Sequence, residues 1–406
     1  MKILQIHKFF YPKDGATNHM LFLSDLLRES GHDVIPFSTK SEKNLSTPYE
    51  KYFVDYTDLR ADEQGSIWQR CIKAKQFIVN RQAQKNIRQL FKDEKIDVAH
   101  VHNIYHHITP VILEELRRAH VPIIMTLHDL KLISPNYLMY HHGAIHEEDA
   151  RGWYMSCVKN KCIADSRAKS VLAVAEMVYA HKIKKYYAKY VDTFISPSQF
   201  LMDKCVQYGW QKRRFRHLQH PTDLSSEIHK HKAGGFVMYF GRISEEKGID
   251  VLIDAARLSP KLKFKIVGDG PLLEHFKLVT RRDGLQNIEF MGFQTGKELE
   301  KLQQQATIVC LPSVCYENYP LSILEAKARG KVVIASNSGG IPELLPGEYL
   351  FERGNSLDLA KKLKIWYGKK PQILDQVGKA MRADVEKNND PQAYIKKLEK
   401  VYAKSG

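Results

Sequence analysis

Short runs of strand-forming apolar residues recur along this chain, separated by stretches in which apolar positions return every three or four residues. In the first half the runs are Ile3–Ile6, Asp33–Phe37, Asp97–Val101, Ile123–Leu127 and Thr193–Ser196. This alternation predicts β-α-β units around a parallel sheet. A second series follows, at Phe236–Phe240, Phe264–Val267, Ile288–Met291, Ile308–Leu311 and Val332–Ala335, and predicts a second sheet of the same kind. The polar, glycine-bearing segment His229–Gly235 between them is a composition shift of the sort that links domains. The boundary is set near residue 220, giving domains 1–220 and 221–389. The closing stretch, 390–406, carries Tyr394, Leu398 and Tyr402 at i, i+4, i+8 spacing, a helical stripe expected to pack back on the first domain.

Composition narrows the classes. The 406 residues are 43% hydrophobic and 27% charged, values of a folded globular chain. Lys and Arg number 62 against 46 Asp and Glu, a formal +16 that favours polyanions: nucleic acid, an anionic membrane surface or phosphorylated substrates. No nucleic-acid-binding signature accompanies the charge, so nucleic acid is not expected. The opening apolar run is too short for a signal sequence, and no run approaches the roughly 18 apolar residues of a membrane span. A cytoplasmic protein follows, at most lying at the inner face of the cell membrane. Six scattered cysteines, one C-x4-C pair among them, predict free thiols in a reducing compartment.

Chemistry concentrates where strands run into glycine, proline or charge. Directly after Ile308–Leu311 comes Pro312-Ser-Val-Cys-Tyr-Glu317-Asn318-Tyr319-Pro320-Leu321-Ser-Ile-Leu-Glu325. Open α/β sheets bind ligands at the carboxyl ends of their strands, and Pro320 at a first-turn position would open a helix whose free amides face an anion. Two carboxylates eight positions apart can each accept from paired hydroxyls, as a ligand with two hydroxylated rings requires. Either Glu alone would be an ordinary surface charge. After Phe236–Phe240 comes Gly241-Arg242-Ile-Ser-Glu-Glu-Lys247-Gly248, a turn in which a guanidinium and an ammonium can clamp a diphosphate. Val267-Gly268 and Gly292-Phe293 repeat the strand-to-glycine step, and glycine lets backbone approach a flat ring. In the first half, Phe9 to Asn18 follows the first strand, with a glycine turn expected at Gly15-Ala16 that lets backbone reach donor phosphate or acceptor, and Thr126-Leu127-His128-Asp129 ends another. His100, His102, His106 and His107 invite a metal reading, but a mixture of core and rim roles is expected of them.

The order of these motifs resembles the E-x7-E signature of the GT4 group of glycosyltransferases, over nearly the whole chain. The resemblance implies a GT-B α/β fold, two Rossmann-like doubly wound domains facing an interdomain cleft. The first would bind acceptor and the second a nucleotide diphosphate sugar. It implies a hexosyltransferase that retains anomeric configuration by front-face attack, with a UDP- or GDP-sugar donor, a glycan or lipid-linked glycan acceptor in bacterial cell-surface polysaccharide or glycolipid assembly, and no required metal or other cofactor. Carried onto this chain, the catalytic positions are His128, Arg242, Lys247 and Glu317. Glu317 would meet the hydroxyls of the transferred sugar and Glu325 the ribose. Gly15, Ala16, Gly241, Gly268, Phe293, Asn318, Tyr319, Pro320 and Leu321 would complete the donor site. The group usually has two adjacent glycines where this chain has Gly15-Ala16.

Two segments stand apart from that pattern. One branch of the group places cysteines where this chain has His146 and Asp149. These two with Cys157 and Cys162 supply zinc-type ligands, while a purely local loop accounts for them as well. Arg167–Tyr190 is expected to form a basic amphipathic helix, suited either to an anionic membrane or to an ordinary core face. The alternative function is a non-catalytic nucleotide-sugar binding protein of the same fold.

Overall fold

The computed structural model describes residues 1–56, 67–228, 230–231 and 235–405; residue 229 and residues 232–234 of the expected linker and the Cys71 side chain fall outside them. Two compact units emerge. One comprises residues 1–141, 146–220 and 392–406, the other residues 142–145 and 221–391.

In the first unit six parallel strands, β1 (Lys2–Ile6), β2 (Asp33–Phe37), β3 (Val98–Val101), β4 (Ile123–Thr126), β5 (Thr193–Ser196) and β6 (Phe215–His217), lie in the order β2-β1-β3-β4-β5-β6. The chain leaves β1 toward β2 on one side and returns to β3 on the other, which opens a crevice at their carboxyl ends. β1, β3, β4 and β5 are buried almost throughout, as strands covered on both faces must be. The closing helix Pro391–Ser405 buries Tyr394, Ile395, Leu398 and Tyr402 against Ile3, Leu23, Leu27 and Ile195 of this unit.

The second unit repeats the plan with β7 (Phe236–Phe240), β8 (Phe264–Val267), β9 (Ile288–Gly292), β10 (Ala306–Leu311), β11 (Val332–Ser336) and β12 (Leu350–Phe351), ordered β9-β8-β7-β10-β11-β12 and parallel throughout. Its reversal of strand order falls between β7 and β10. β6 and β12 are additions to the sequence reading, which missed both.

Three expectations need correction. Gly15 does not make a turn: it begins the helix Gly15–Glu29, with Asp14 as its cap accepting from the Thr17 amide at 2.9 Å. Arg167–Tyr190 is not one helix but Arg167–Met177, a wider π turn at Val178–Ile183, and Tyr186–Tyr190 entered through left-handed Lys185. A single amphipathic stripe cannot survive that change of period. Nor are all thiols free, because Cys157 and Cys162 are joined as a disulfide, whereas Cys205, Cys310 and Cys315 are free and buried.

Candidate functional site

At the carboxyl edge of the second sheet, the loops after β7 and β10 meet at the reversal point. Gly248, at φ +66°, makes the meeting close: a Cβ there would lie 2.0 Å from the Pro312 carbonyl oxygen. Lys247 consequently reaches Glu317, Nζ to Oε1 at 2.6 Å, and the Ser313 hydroxyl donates to the same oxygen at 2.5 Å. Burial alone would raise the Glu317 carboxyl, but the neighbouring Lys247 and Ser313 outweigh it and hold it below its ordinary value. Burial likewise works against the Lys247 ammonium, and Glu317 more than reverses that. The pair is charged and preorganised.

Behind Glu317 the loop after β11 braces the backbone. The Gly340 amide donates to the Glu317 carbonyl at 2.7 Å, and a Cβ on Gly339 would come within 2.1 Å of that oxygen. The helix Leu321–Ala328 starts immediately afterwards; Pro320 is its cap residue, not its first turn as expected, and no side chain caps the first amides. Those amides remain available to an anion. Asn389 donates to the Tyr319 hydroxyl at 2.7 Å and fixes that ring beside the helix start. Glu325 lies further along the helix, half-buried, with Gln303 at 3.5 Å, and burial pushes its carboxyl up. It belongs to a different set of contacts from Glu317.

Arg242 is exposed on the loop after β7, while its carbonyl accepts from the Tyr239 hydroxyl at 2.6 Å. The glycines beside it serve the protein's own packing. Gly268, at φ +139°, would place a Cβ 1.8 Å from the Gly241 oxygen, so these loops touch backbone to backbone. Phe293 is 71% exposed. Next to the Glu317 loop an open recess of about 500 Å³ is lined by Tyr316, Ser338, Gly339, Phe351 and Arg353, with the Arg353 guanidinium 5.7 Å over the Tyr316 ring. Motif reading overlooked Gly339 and Arg353; the Ser-Gly-Gly run after β11 was the available signal for the first.

The first unit gathers histidines at its own reversal point. His7 follows β1, His102 follows β3 and His128 lies two residues beyond β4; His19 comes from the first helix and His220 from beyond β6. His19 packs against His220 at 3.7 Å between centroids with the rings tilted by 33°, and His128 stands 5.2 to 5.4 Å from His102, His19 and His220. His102 Nδ1 and His128 Nε2 are 2.9 Å apart, and His102 Nε2 is 2.8 Å from the Gln5 amide oxygen. Burial lowers all of these rings, His7 to about 4 and His220 to about 3, so the cluster is neutral at pH 7. Both nitrogens of His19, Nε2 of His7 and the Gln5 amide nitrogen are buried without a hydrogen-bond partner among the described residues. Leaving such groups unpaired costs on the order of 1–3 kcal/mol each, a concentration typical of a site kept for chemistry. Sequence reading singled out His128 but missed His7, His19 and His220, which one fold brings together from three distant segments.

The zinc candidates are not assembled. Cys157 and Cys162 are spent on each other, Asp149 accepts from His141 at 2.7 Å, and His146 stacks on His141 and bonds Glu148. Among the described residues no group of three or more His, Cys, Asp or Glu is arranged to hold a metal ion.

Comparison with known proteins places this geometry among relatives. The family Glycosyl transferases group 1 matches residues 222–384, and Glycosyltransferase Family 4 matches residues 13–226. An uncharacterized 42.6 kDa protein in the cps region of Klebsiella pneumoniae is 24% identical over 88% of this chain and 92% of its own length. The putative colanic acid biosynthesis glycosyltransferase WcaL of Escherichia coli K12 is 26% identical over 40% of this chain and 43% of its own. Among solved structures, HepE of Anabaena in complex with UDP-glucose superposes with a TM-score of 0.69 at 17% identity, covering all of both chains. Sucrose-phosphate synthase of Thermosynechococcus elongatus gives 0.71 at 17%, covering 100% of this chain and 98% of its own. The fold is therefore the GT-B α/β fold.

Proposed function

Because the chain belongs to glycosyltransferase family 4, we propose that this glycosyltransferase moves a hexosyl group, with retention, from a UDP- or GDP-sugar to a hydroxyl of a glycan or lipid-linked glycan. The observation that carries the reading is the Lys247–Glu317 pair at the β7/β10 reversal, next to the uncapped start of the helix Leu321–Ala328. Before donor binds, each charge holds the other. When a diphosphate arrives, the ammonium and Arg242 turn to its oxygens, and Glu317 is left to accept from sugar hydroxyls. Glu325 accepts from the ribose, and Phe293, Gly268 and the residues Asn318 to Leu321 surround the nucleotide.

In the transfer step the acceptor oxygen bonds to the anomeric carbon on the face from which the diphosphate leaves. The carbon–oxygen bond to the β-phosphate breaks, and the acceptor's proton passes to a β-phosphate oxygen. Catalysis is then positioning plus neutralisation of the leaving group. His128 keeps the catalytic role, and Gly15 and Ala16, which open the helix after β1, the donor-site role, that the family resemblance gives them. The cps and colanic acid relatives support an acceptor in cell-surface polysaccharide assembly. The +16 balance, with exposed Trp153, Met155, Val171 and Ile183 in one stretch of chain, supports contact with an anionic membrane.

The test is a transfer assay across UDP- and GDP-sugars with glycan and lipid-linked acceptors. Turnover with one donor, lost on Glu317→Ala, is expected. Tight nucleotide-sugar binding with no turnover on any acceptor would identify a binding protein instead.

A further inference from the structure

We infer that Gln5, acting through His102, is a positioning residue that fixes the tautomer of His128, so that His128 presents a hydrogen-bond acceptor to the ligand; this rests on the role given to His128 above. Three side chains form the line, one on β1, one directly after β3 and one two residues beyond β4, three neighbouring strands. Gln5 is on β1, buried at 1% exposure, and its amide oxygen lies 2.8 Å from His102 Nε2. That oxygen can only accept, so His102 carries its proton on Nε2. His102 Nδ1 is then a lone pair, and it lies 2.9 Å from His128 Nε2. A neutral ring facing a lone pair must donate, which places the single proton of His128 on Nε2. Its Nδ1 is left unprotonated on the half-exposed end of the line, beyond β4.

Burial keeps both rings neutral, which the arrangement needs, because a doubly protonated His128 would have no lone pair to offer. The consequence for recognition is a preference for a group that gives a proton, a sugar hydroxyl above all. The Gln5 amide nitrogen, buried without a partner, is what this polarity costs.

Two measurements separate this from a packing role and from the proposed reaction. Nitrogen-15 spectra of histidine-labelled protein, which need no turnover, should show His128 protonated on Nε2 and bare on Nδ1. A wild-type signal from Nδ1–H would overturn the inference whatever the enzyme does. Gln5→Met keeps volume but removes the acceptor, and should let the His128 signals average between tautomers while kcat falls about tenfold or more, with donor KM nearly unchanged. Gln5→Glu, acceptor-only, should restore both the tautomer and most of kcat. If the methionine variant keeps the wild-type tautomer and rate, or if the glutamate variant rescues neither, Gln5 does not set the ring. Should the spectra be as expected but no nucleotide sugar be turned over, the failure belongs to the proposed function alone.

Discussion

Lys247 and Glu317 show how a charge pair can serve two states of a site. Their side chains are 26% and 11% exposed, so the pair is largely but not wholly withdrawn from water. Removing one partner strands the other: Glu317→Gln leaves an ammonium, and Lys247→Met leaves a carboxylate that also holds the Ser313 hydroxyl. Each single change is expected to cost on the order of 1–3 kcal/mol of stability, and Lys247→Met combined with Glu317→Gln should recover most of it. Transfer should not recover, since both charges are used with donor bound. Thermal unfolding of the two singles and the double, set beside kcat, checks this: a double variant destabilised by the sum of the two single losses would show that the pair is not coupled.

At the level of elements, the site depends on which loops touch. Gly248 sits at φ +66° with the Pro312 carbonyl where a Cβ would be, so Gly248→Ala must either strain the turn or push the loop after β7 away from the loop after β10. The strain alone costs about 1–2 kcal/mol. We expect a lower melting temperature together with a weakened Lys247–Glu317 contact, read as loss of nucleotide affinity by calorimetry. Gly284→Ala, also left-handed at φ +66° but with open space around it, is the control for strain without collision and should leave affinity intact. The same contrast explains what could be read from sequence. Ten strands were visible because four to six residues of apolar run or alternation declare themselves. β6 was not, because Phe215-Arg216-His217 has one buried residue, and β12 was not, because it has two residues in all. Glu317 and Lys247 stood out by motif, but their mutual contact is set by Gly248 and Gly339, whose role is visible only once distant loops are adjacent. His19 and His220 have no local signal at all. The π turn at Val178–Ile183 breaks a pattern that periodicity had joined.

Over the whole chain, the terminal segment 392–406 returns to the unit in which the chain began, and its attachment is specific as well as apolar. The Tyr402 hydroxyl bonds His100 Nδ1 at 2.7 Å, while Leu398, fully buried, lies in the same cluster as Ile3 and Leu27. Leu398→Ala should cost about 2–5 kcal/mol. A melting point within a degree or two of wild type would mean that the helix is not part of that core.

The buried histidines make a further demand on the whole molecule. His7, His100 and His220, lowered by burial to about 4, 3 and 3, and His19, His102 and His128, lowered well below the ordinary value, bind protons only after the unfolded chain has done so at about 6.5. Lys8 stands near this group and Asp14 opposes it. The unfolded state therefore holds more protons across the window from about 6.5 down to about 3, and stability must rise with pH there. The histidine contribution is fully present above pH 6.5 and is lost as pH falls, by up to about 1.4 kcal/mol per histidine for each pH unit. Melting temperature should be flat from pH 8 to 7 and fall steeply by pH 5.5. His19→Met, which removes a ring whose nitrogens have no hydrogen-bond partner, should raise the melting temperature at pH 5.5 more than at pH 7.5. An equal shift at both values would show that packing around position 19, and not its titration, sets the acid limit.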